Sequence, residues 1–224
     1  MTCSIHQPNY LPYLGLFNKF KESDAFVLYD CAQYSKNDYH NRNKIKTPQG
    51  PAWLTVPVSL SLGDPISAAR IADPGFRNAH CRALELNYKK APFFAEWFSL
   101  VMAVYGREHA SLMALNIDFL RFFFDMIDPA KPVVMASDVL SDRSLRSTAA
   151  LVAMCREVGA DSYIAGAGGR GYMEESLFAD AGIGIVWQDF HHPEYPQQWG
   201  AFAPYMCALD ALFNVGREGF LELI

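Results

Sequence analysis

Cysteine is sparse and scattered in this chain, which excludes two classes of small-domain chemistry. The five cysteines, at positions 3, 31, 81, 155 and 207, form no C-x-x-C pair and none of the short spacings that hold zinc. Their odd number, with no basic N-terminal region leading into an apolar stretch, predicts a reduced, cytosolic chain and not a secreted disulfide framework. No apolar run approaches the roughly 20 residues that span a bilayer. Net positive charge is missing too: the formal charge is -5 at pH 7. That argues against general nucleic-acid binding, which needs a basic footprint to release counterions from phosphates. There is no P-loop, no paired-histidine signature of the class I synthetase type, no internal repeat and no low-complexity tract.

Apolar residues, by contrast, make up 51% of the 224 positions, enough for one well-buried core in a single domain over residues 1–224. Six short runs are apolar on both faces: Cys3 to His6, Ala25 to Tyr29, Trp53 to Val58, Val133 to Ala136, Ser162 to Ala165 and Gly184 to Gln188. They predict a buried, mostly parallel sheet. Helical spacing fills the gaps. Leu14, Phe17 and Phe20 mark a helix over Tyr13 to Lys21, and Leu145, Ala149, Val152 and Cys155 mark another over Leu145 to Val158, stopped by Gly159. The alternation predicts an α/β fold of Rossmann-like type. Between the third and fourth strands, helices over Asn78 to Tyr88, Phe93 to Tyr105 and Ser111 to Ile127 predict an all-α insertion spanning about 78–127. Its Phe119, Phe122, Phe123 and Phe124 read as core.

Polar clusters follow the predicted strands, and in a parallel sheet they would gather at the carboxyl edge where ligands bind. After strand one comes Ser4-Ile5-His6-Gln7-Pro8-Asn9-Tyr10-Leu11-Pro12, whose prolines hold the backbone in a rigid turn. His6 suits general acid-base work near neutral pH. The plain alternative is a histidine that ties a strand end, but Gln7 and Asn9 beside it are more polar groups than structure alone requires. After strand two come Asp30 and Gln33; a carboxylate there could orient an imidazole or bind an ammonium group, or simply cap a turn. Arg42, Lys44 and Lys46, interleaved with Asn41, Asn43 and Thr47, suit a phosphate or carboxylate, with a solvated loop as the alternative.

After strand five, Gly166-Ala167-Gly168-Gly169-Arg170-Gly171 reads G-x-G-x-x-G, and Asp189 stands at the end of the next strand, as in a dinucleotide fingerprint. The helix between them, about Met173 to Asp180, is short for that unit. A turn whose backbone amides approach any phosphate or carboxylate is the more economical reading. His191, His192 and Glu194 lack a third ligand at suitable spacing, so no metal site is assigned. Cys31 could act as a nucleophile, although a free cysteine is more often a small buried hydrophobe.

A family resemblance rests on the Ser4-to-Pro12 segment with Asp30, Gln33, the run from Asn41 to Thr47, and Trp53-Leu54-Thr55-Val56-Pro57-Val58. It resumes at Tyr163 to Tyr172, and at Pro204 to Gly216 with Asp210 and Leu212-Phe213-Asn214. Together these resemble the WbqC-like family, known mainly from bacterial surface-polysaccharide clusters, including those for O-antigen and lipopolysaccharide. The chain departs from the family pattern at Cys31 and at Ala32, where another residue and a β-branched residue are usual. The resemblance implies transfer of glycine or a similar amino acid to an amino sugar.

These readings combine into one expectation, a cytosolic transferase joining an amino acid to the amine of a nucleotide-linked sugar. His6 and Asp30 would be catalytic. Substrate would be held by Gln7, Asn9, Gln33, Asn41, Arg42, Asn43, Lys46, Gly168, Gly169, Arg170 and Tyr172, with Arg42 and Lys46 on the phosphates. The partners would be a nucleotide-sugar and an activated amino acid; ATP, an acylated carrier and charged tRNA stay open as sources of activation, and no cofactor is assigned. Two rivals are a nucleotide-dependent oxidoreductase using the late glycine-rich turn and a non-catalytic binding protein of the same pathway.

Overall fold

The computed structural model describes residues 1–224. The chain begins with β1 (Thr2–His6), α1 (Leu14–Glu22), β2 (Ala25–Leu28), β3 (Arg42–Thr47), β4 (Gly50–Thr55), β5 (Val58–Ser59) and β6 (Arg70–Ile71). Three helices follow, α2 (Phe76–Tyr88), α3 (Phe94–Tyr105) and α4 (Leu112–Ile127). Then come β7 (Val133–Met135), α5 (Ala136–Val139), α6 (Ser147–Glu157), β8 (Ser162–Ala165), α7 (Glu175–Asp180), β9 (Gly184–Trp187) and α8 (Ala208–Leu223).

Five strands form one sheet in the order β7-β2-β1-β8-β9. Every pairing in it is parallel, in the α/β, Rossmann-like arrangement that strand-helix alternation predicts. Strand β2 shows why its residues must be apolar on both faces. Phe26 and Leu28 join a core with Phe17 and Phe20 of α1, Phe124 of α4 and Phe220 of α8; Val27 turns the other way, to Cys3, Ile5, Val152, Cys155 and Phe178. Phe20 stacks on Phe124 with centroids 4.0 Å apart. Strand β1 alternates in the same way. Cys3 and Ile5 belong to the second core, so Ser4 and His6 face α1, and the Ser4 hydroxyl donates to the Lys19 carbonyl at 3.3 Å.

One sequence expectation needs correction, and one element is new. Trp53 to Val58 is not a sheet strand: β4 ends at Thr55 and pairs antiparallel with β3 in a separate hairpin. The cause is Pro48-Gln49 with Gly50 at φ +101°, which reverses the chain within reach of its own partner. Trp53 consequently lies 42% exposed on the hairpin's outer face, where a central strand would bury it. The basic run of residues 42–46 is therefore β-strand and not a loop. The new element is α8, which short apolar-run analysis does not reveal. It bends at Gly216, φ +70°, where a Cβ would come 2.8 Å from the Phe93 ring.

Helix α8 is fastened through Asp210, which is fully buried. Its carboxylate accepts from the Tyr88 hydroxyl at 2.7 Å, the Tyr195 hydroxyl at 2.8 Å and the Gln197 amide at 2.9 Å. Burial raises its pKa, while those donors and the nearby Lys46 ammonium pull it back. Asp210→Ala is expected to cost about 3 kcal/mol or more in urea denaturation, because it strands several buried donors at once. Tyr195→Phe, removing one donor of three, is expected to cost only about 1 kcal/mol.

Candidate functional site

Strand order decides where a ligand can sit. From β1 the chain steps outward to β2 and β7, then returns to lay β8 on the opposite side of β1 and continues to β9. The order thus reverses between β1 and β8, and helices leaving these strands splay apart there, opening a crevice beyond their carboxyl ends. A cleft of about 750 Å³ occupies that position. Its walls carry His6 and Gln7 after β1, Gln33 and Ser35 after β2, Arg146 and Ser147 at the start of α6, and Gly166, Gly168, Gly169 and Tyr172 after β8. Lys19 of α1 reaches it as well.

His6 has a defined tautomer. Its Nδ1 lies 2.8 Å from the Gln7 carbonyl, which can only accept, so Nδ1 carries the proton and Nε2 keeps a lone pair. Nε2 has no hydrogen-bond partner in the chain. Burial, followed by the nearby Lys19 charge, lowers the pKa to about 4, so the ring is neutral at pH 7.

Gln7 is oriented by a histidine that sequence reasoning does not single out. The Ser35 backbone N–H donates to His40 Nδ1 at 3.1 Å, so His40 must carry its proton on Nε2, which donates to Gln7 Oε1 at 2.6 Å. With its carbonyl oxygen occupied, Gln7 has only its amide NH₂ left to offer the cleft. The cleft therefore holds a fixed acceptor, His6 Nε2, beside a fixed donor, Gln7.

The turn that carries both is pinned from outside the sheet. Asn116 of α4 donates to the Pro8 and His40 carbonyls at 2.7 and 2.8 Å, and Asn43 of β3 donates to the Leu11 carbonyl at 2.6 Å. Asn43 is thus spent inside the fold, as is Asn41, whose amide donates to the Val56 carbonyl at 2.8 Å.

Other predicted site residues do not line the cleft. Asp30 is buried and accepts from the Ser137 backbone N–H at 2.9 Å, holding the start of α5, the capping role weighed as its alternative. Asn9 lies beyond the cleft wall, its Oδ1 buried without a partner. Arg42 stacks on Trp53 at 4.3 Å and donates to the Asn37 carbonyl. Lys46 is 2% exposed and donates to the Ala201 carbonyl, on the Asp210 side of the molecule. Arg170 stacks over Trp187 at 4.5 Å. Cys31 is also off the cleft wall, and burial raises its pKa, which keeps it a thiol.

The residues that sequence reasoning missed had faint signals. Lys19 occupies an apolar-stripe position of α1, three residues after Leu16 and beside Phe20, where a charge needs a reason. Arg146 and Ser147 carry no motif, and only the fold brings them to β1.

Fold and cleft together define an α/β protein with a parallel sheet and a crevice at its strand-order reversal. The chain belongs to the WbqC-like protein family, whose model matches residues 7–221. It is similar to the uncharacterized protein Rv1507c of Mycobacterium tuberculosis (strain ATCC 25618 / H37Rv), 36% identical over 220 residues that cover 96% of this chain and 94% of the relative. No solved structure matches it. No helix is long and apolar enough to cross a membrane.

The neutral histidines set a pH dependence. Burial lowers the folded-state pKa values of His6 and of the buried His80, which sits 2.8 Å from the Tyr10 hydroxyl, to about 4, below the ordinary histidine value of 6.5. Between those values the unfolded chain binds more protons, so stability present above pH 6.5 is lost as the pH falls toward 4. The raised Asp210 pKa acts in the opposite sense. Denaturant titrations at pH 7 and pH 5 are expected to differ by on the order of 2 kcal/mol, and His80→Gln to shrink the difference.

Proposed function

We propose that the chain is a transferase joining an amino acid, such as glycine, to the amine of a nucleotide-linked amino sugar. The observation that carries this reading is the pairing of His6 Nε2, an unprotonated acceptor, with the Gln7 amide, a donor locked by His40, at the strand-order reversal. Attack by an amine on an acyl carbon needs a group that takes the amine's proton and another that stabilises the developing oxyanion. His6 would do the first and Gln7 the second. The substrate class is what the family resemblance implies.

The glycine-rich turn supports the same reading. Gly168 has no positive φ, and nothing in the protein lies within 4 Å of where its Cβ would stand. The fold does not require glycine there, whereas a ligand approaching the backbone would. At Gly169 a Cβ would come into van der Waals contact with the Trp187 ring at 3.4 Å, so the space there is narrower.

The oxidoreductase reading draws on the same turn and on Asp189 after the neighbouring strand. Against it, residues 167–171 form a short 3-10 helix and α7 starts only at Glu175, so no α-helix N-terminus opens on the turn as pyrophosphate binding requires. Asp189 is 90% exposed and faces His191 at 3.6 Å.

His6→Gln is expected to lower transfer to a nucleotide-linked amino sugar by roughly a hundredfold or more, with unfolding temperature little changed. Parental turnover in that variant would make His6 structural, and a parent that binds such a sugar without turnover would favour the non-catalytic reading. NADH is expected to bind poorly, with Asp189→Ala without effect; tight, Asp189-dependent binding would establish the oxidoreductase instead.

A further inference from the structure

Lys19 is a buried charge in the cleft to which the proposed chemistry assigns no role. It is 5% exposed. Its ammonium donates once, to the Ile5 carbonyl at 3.1 Å, and it forms no ion pair with any carboxylate of the chain. Lysines are rarely buried without a partner, because an isolated ammonium loses hydration worth several kcal/mol. Burial lowers its pKa only to about 8, so it remains mostly charged at pH 7.

The rest of the cleft has the same sign. The chain holds 24 Asp and Glu residues against 19 Lys and Arg, yet no acidic side chain lines the cleft, and the cations that do are Lys19 and Arg146. Arg146 stands at the N-cap of α6, a helix of 11 residues with no side-chain cap and no acid in its first turn; its Nη1 donates to the Arg143 and Leu145 carbonyls at 2.6 and 2.7 Å, which leaves its charge unpaired and its other guanidinium N–H groups for a ligand. The first turn of α6 thus begins at the cleft wall, where Arg146 and Ser147 lie, with no side-chain cap and no counter-charge of its own.

We propose that this cleft binds a phosphate group of its ligand, with Lys19 as the buried anchor, Arg146 and the N-terminus of α6 as a second set of donors, and the Gln7 amide as a neutral one. This deepens the transferase reading and rests on the cleft being the substrate site. Two cations and a helix end match a dianion; a carboxylate would leave one positive group unmatched. A phosphate on Lys19 would also offset the charge that, after burial, does most to depress His6, moving that base toward working pH.

Calorimetric titration with inorganic phosphate and pyrophosphate, at pH 7 and constant ionic strength, tests the proposal, with acetate as the carboxylate control. Phosphate is expected to bind the parent at least roughly tenfold more tightly than acetate. Lys19→Met, similar in shape and uncharged, is expected to weaken phosphate binding by on the order of tenfold or more, and Arg146→Ala severalfold. Lys90→Ala, on an exposed turn, should bind as the parent does. Tungstate located by anomalous scattering in parent crystals should lie within hydrogen-bond distance of Lys19 Nζ; this measurement stands even if Lys19→Met fails to fold. Absence of phosphate binding, undiminished binding by a folded Lys19→Met, acetate binding as tight as phosphate, or tungstate only elsewhere would each overturn the proposal. His6→Gln should keep phosphate affinity while losing transfer, so the anion site and the transferase reading can fail separately.

Discussion

The backbone from Gln7 to Pro12 is the constraint on which the rest of the structure depends. Two prolines and Leu11 at φ +43° keep it out of both helix and sheet, so its buried carbonyls cannot be satisfied by regular structure. They are satisfied from distant parts of the chain: Pro8 by Asn116, Leu11 by Asn43, and Pro12 by the backbone N–H of Ala208. One irregular turn thereby draws the hairpin, helix α4 and helix α8 onto the carboxyl end of β1. The same bonds hold His6 and Gln7 still. A loosely tethered turn would let both side chains wander by more than a catalytic constellation tolerates.

Electrostatics then separates two regions that look alike in the sequence. Lys46 and Lys19 are both buried lysines. Lys46 lies near Asp210, whose carboxylate also takes three hydrogen bonds, and the surrounding network is closed. Lys19 has a single carbonyl and no carboxylate, in a cleft open to ligand. A closed network stabilises the fold; an open one is available to substrate. The same contrast separates Asp30, satisfied by the Ser137 N–H, from His6, whose Nε2 is unoccupied beside the cleft.

Much of the α/β pattern was legible because it depends on local periodicity. The sheet strands are short and doubly apolar, and Leu112 to Ile127 presents a sustained helical stripe behind the Ser111 cap. Trp53 to Val58 misled because a hairpin strand with one face on the core shows the same apolar residues as a sheet strand, and only pairing tells them apart. The basic run misled for a related reason. Alternation along β3 puts Arg42, Lys44 and Lys46 on one face; the first two make cation–π contacts with Trp53, while Lys46 is buried where its ammonium meets the Ala201 carbonyl.

By itself the sequence determined the five segments that become strands of the parallel sheet, with Trp53 to Val58 wrongly added as a sixth, that a rigid polar turn follows the first of them, and that His6 and Gln7 stand at its start. Spacing and proline chemistry act over a few residues and need no partner to be read. Only the tertiary structure decided which polar groups are consumed by the fold. Asn43 and Asn41 look like ligand donors until their carbonyl partners appear, and Lys19, His40 and Arg146 look ordinary until strand order sets α1, the β2 loop and the start of α6 around β1. Whether a polar side chain is free depends on contacts many residues away, and those exist only once the chain has packed.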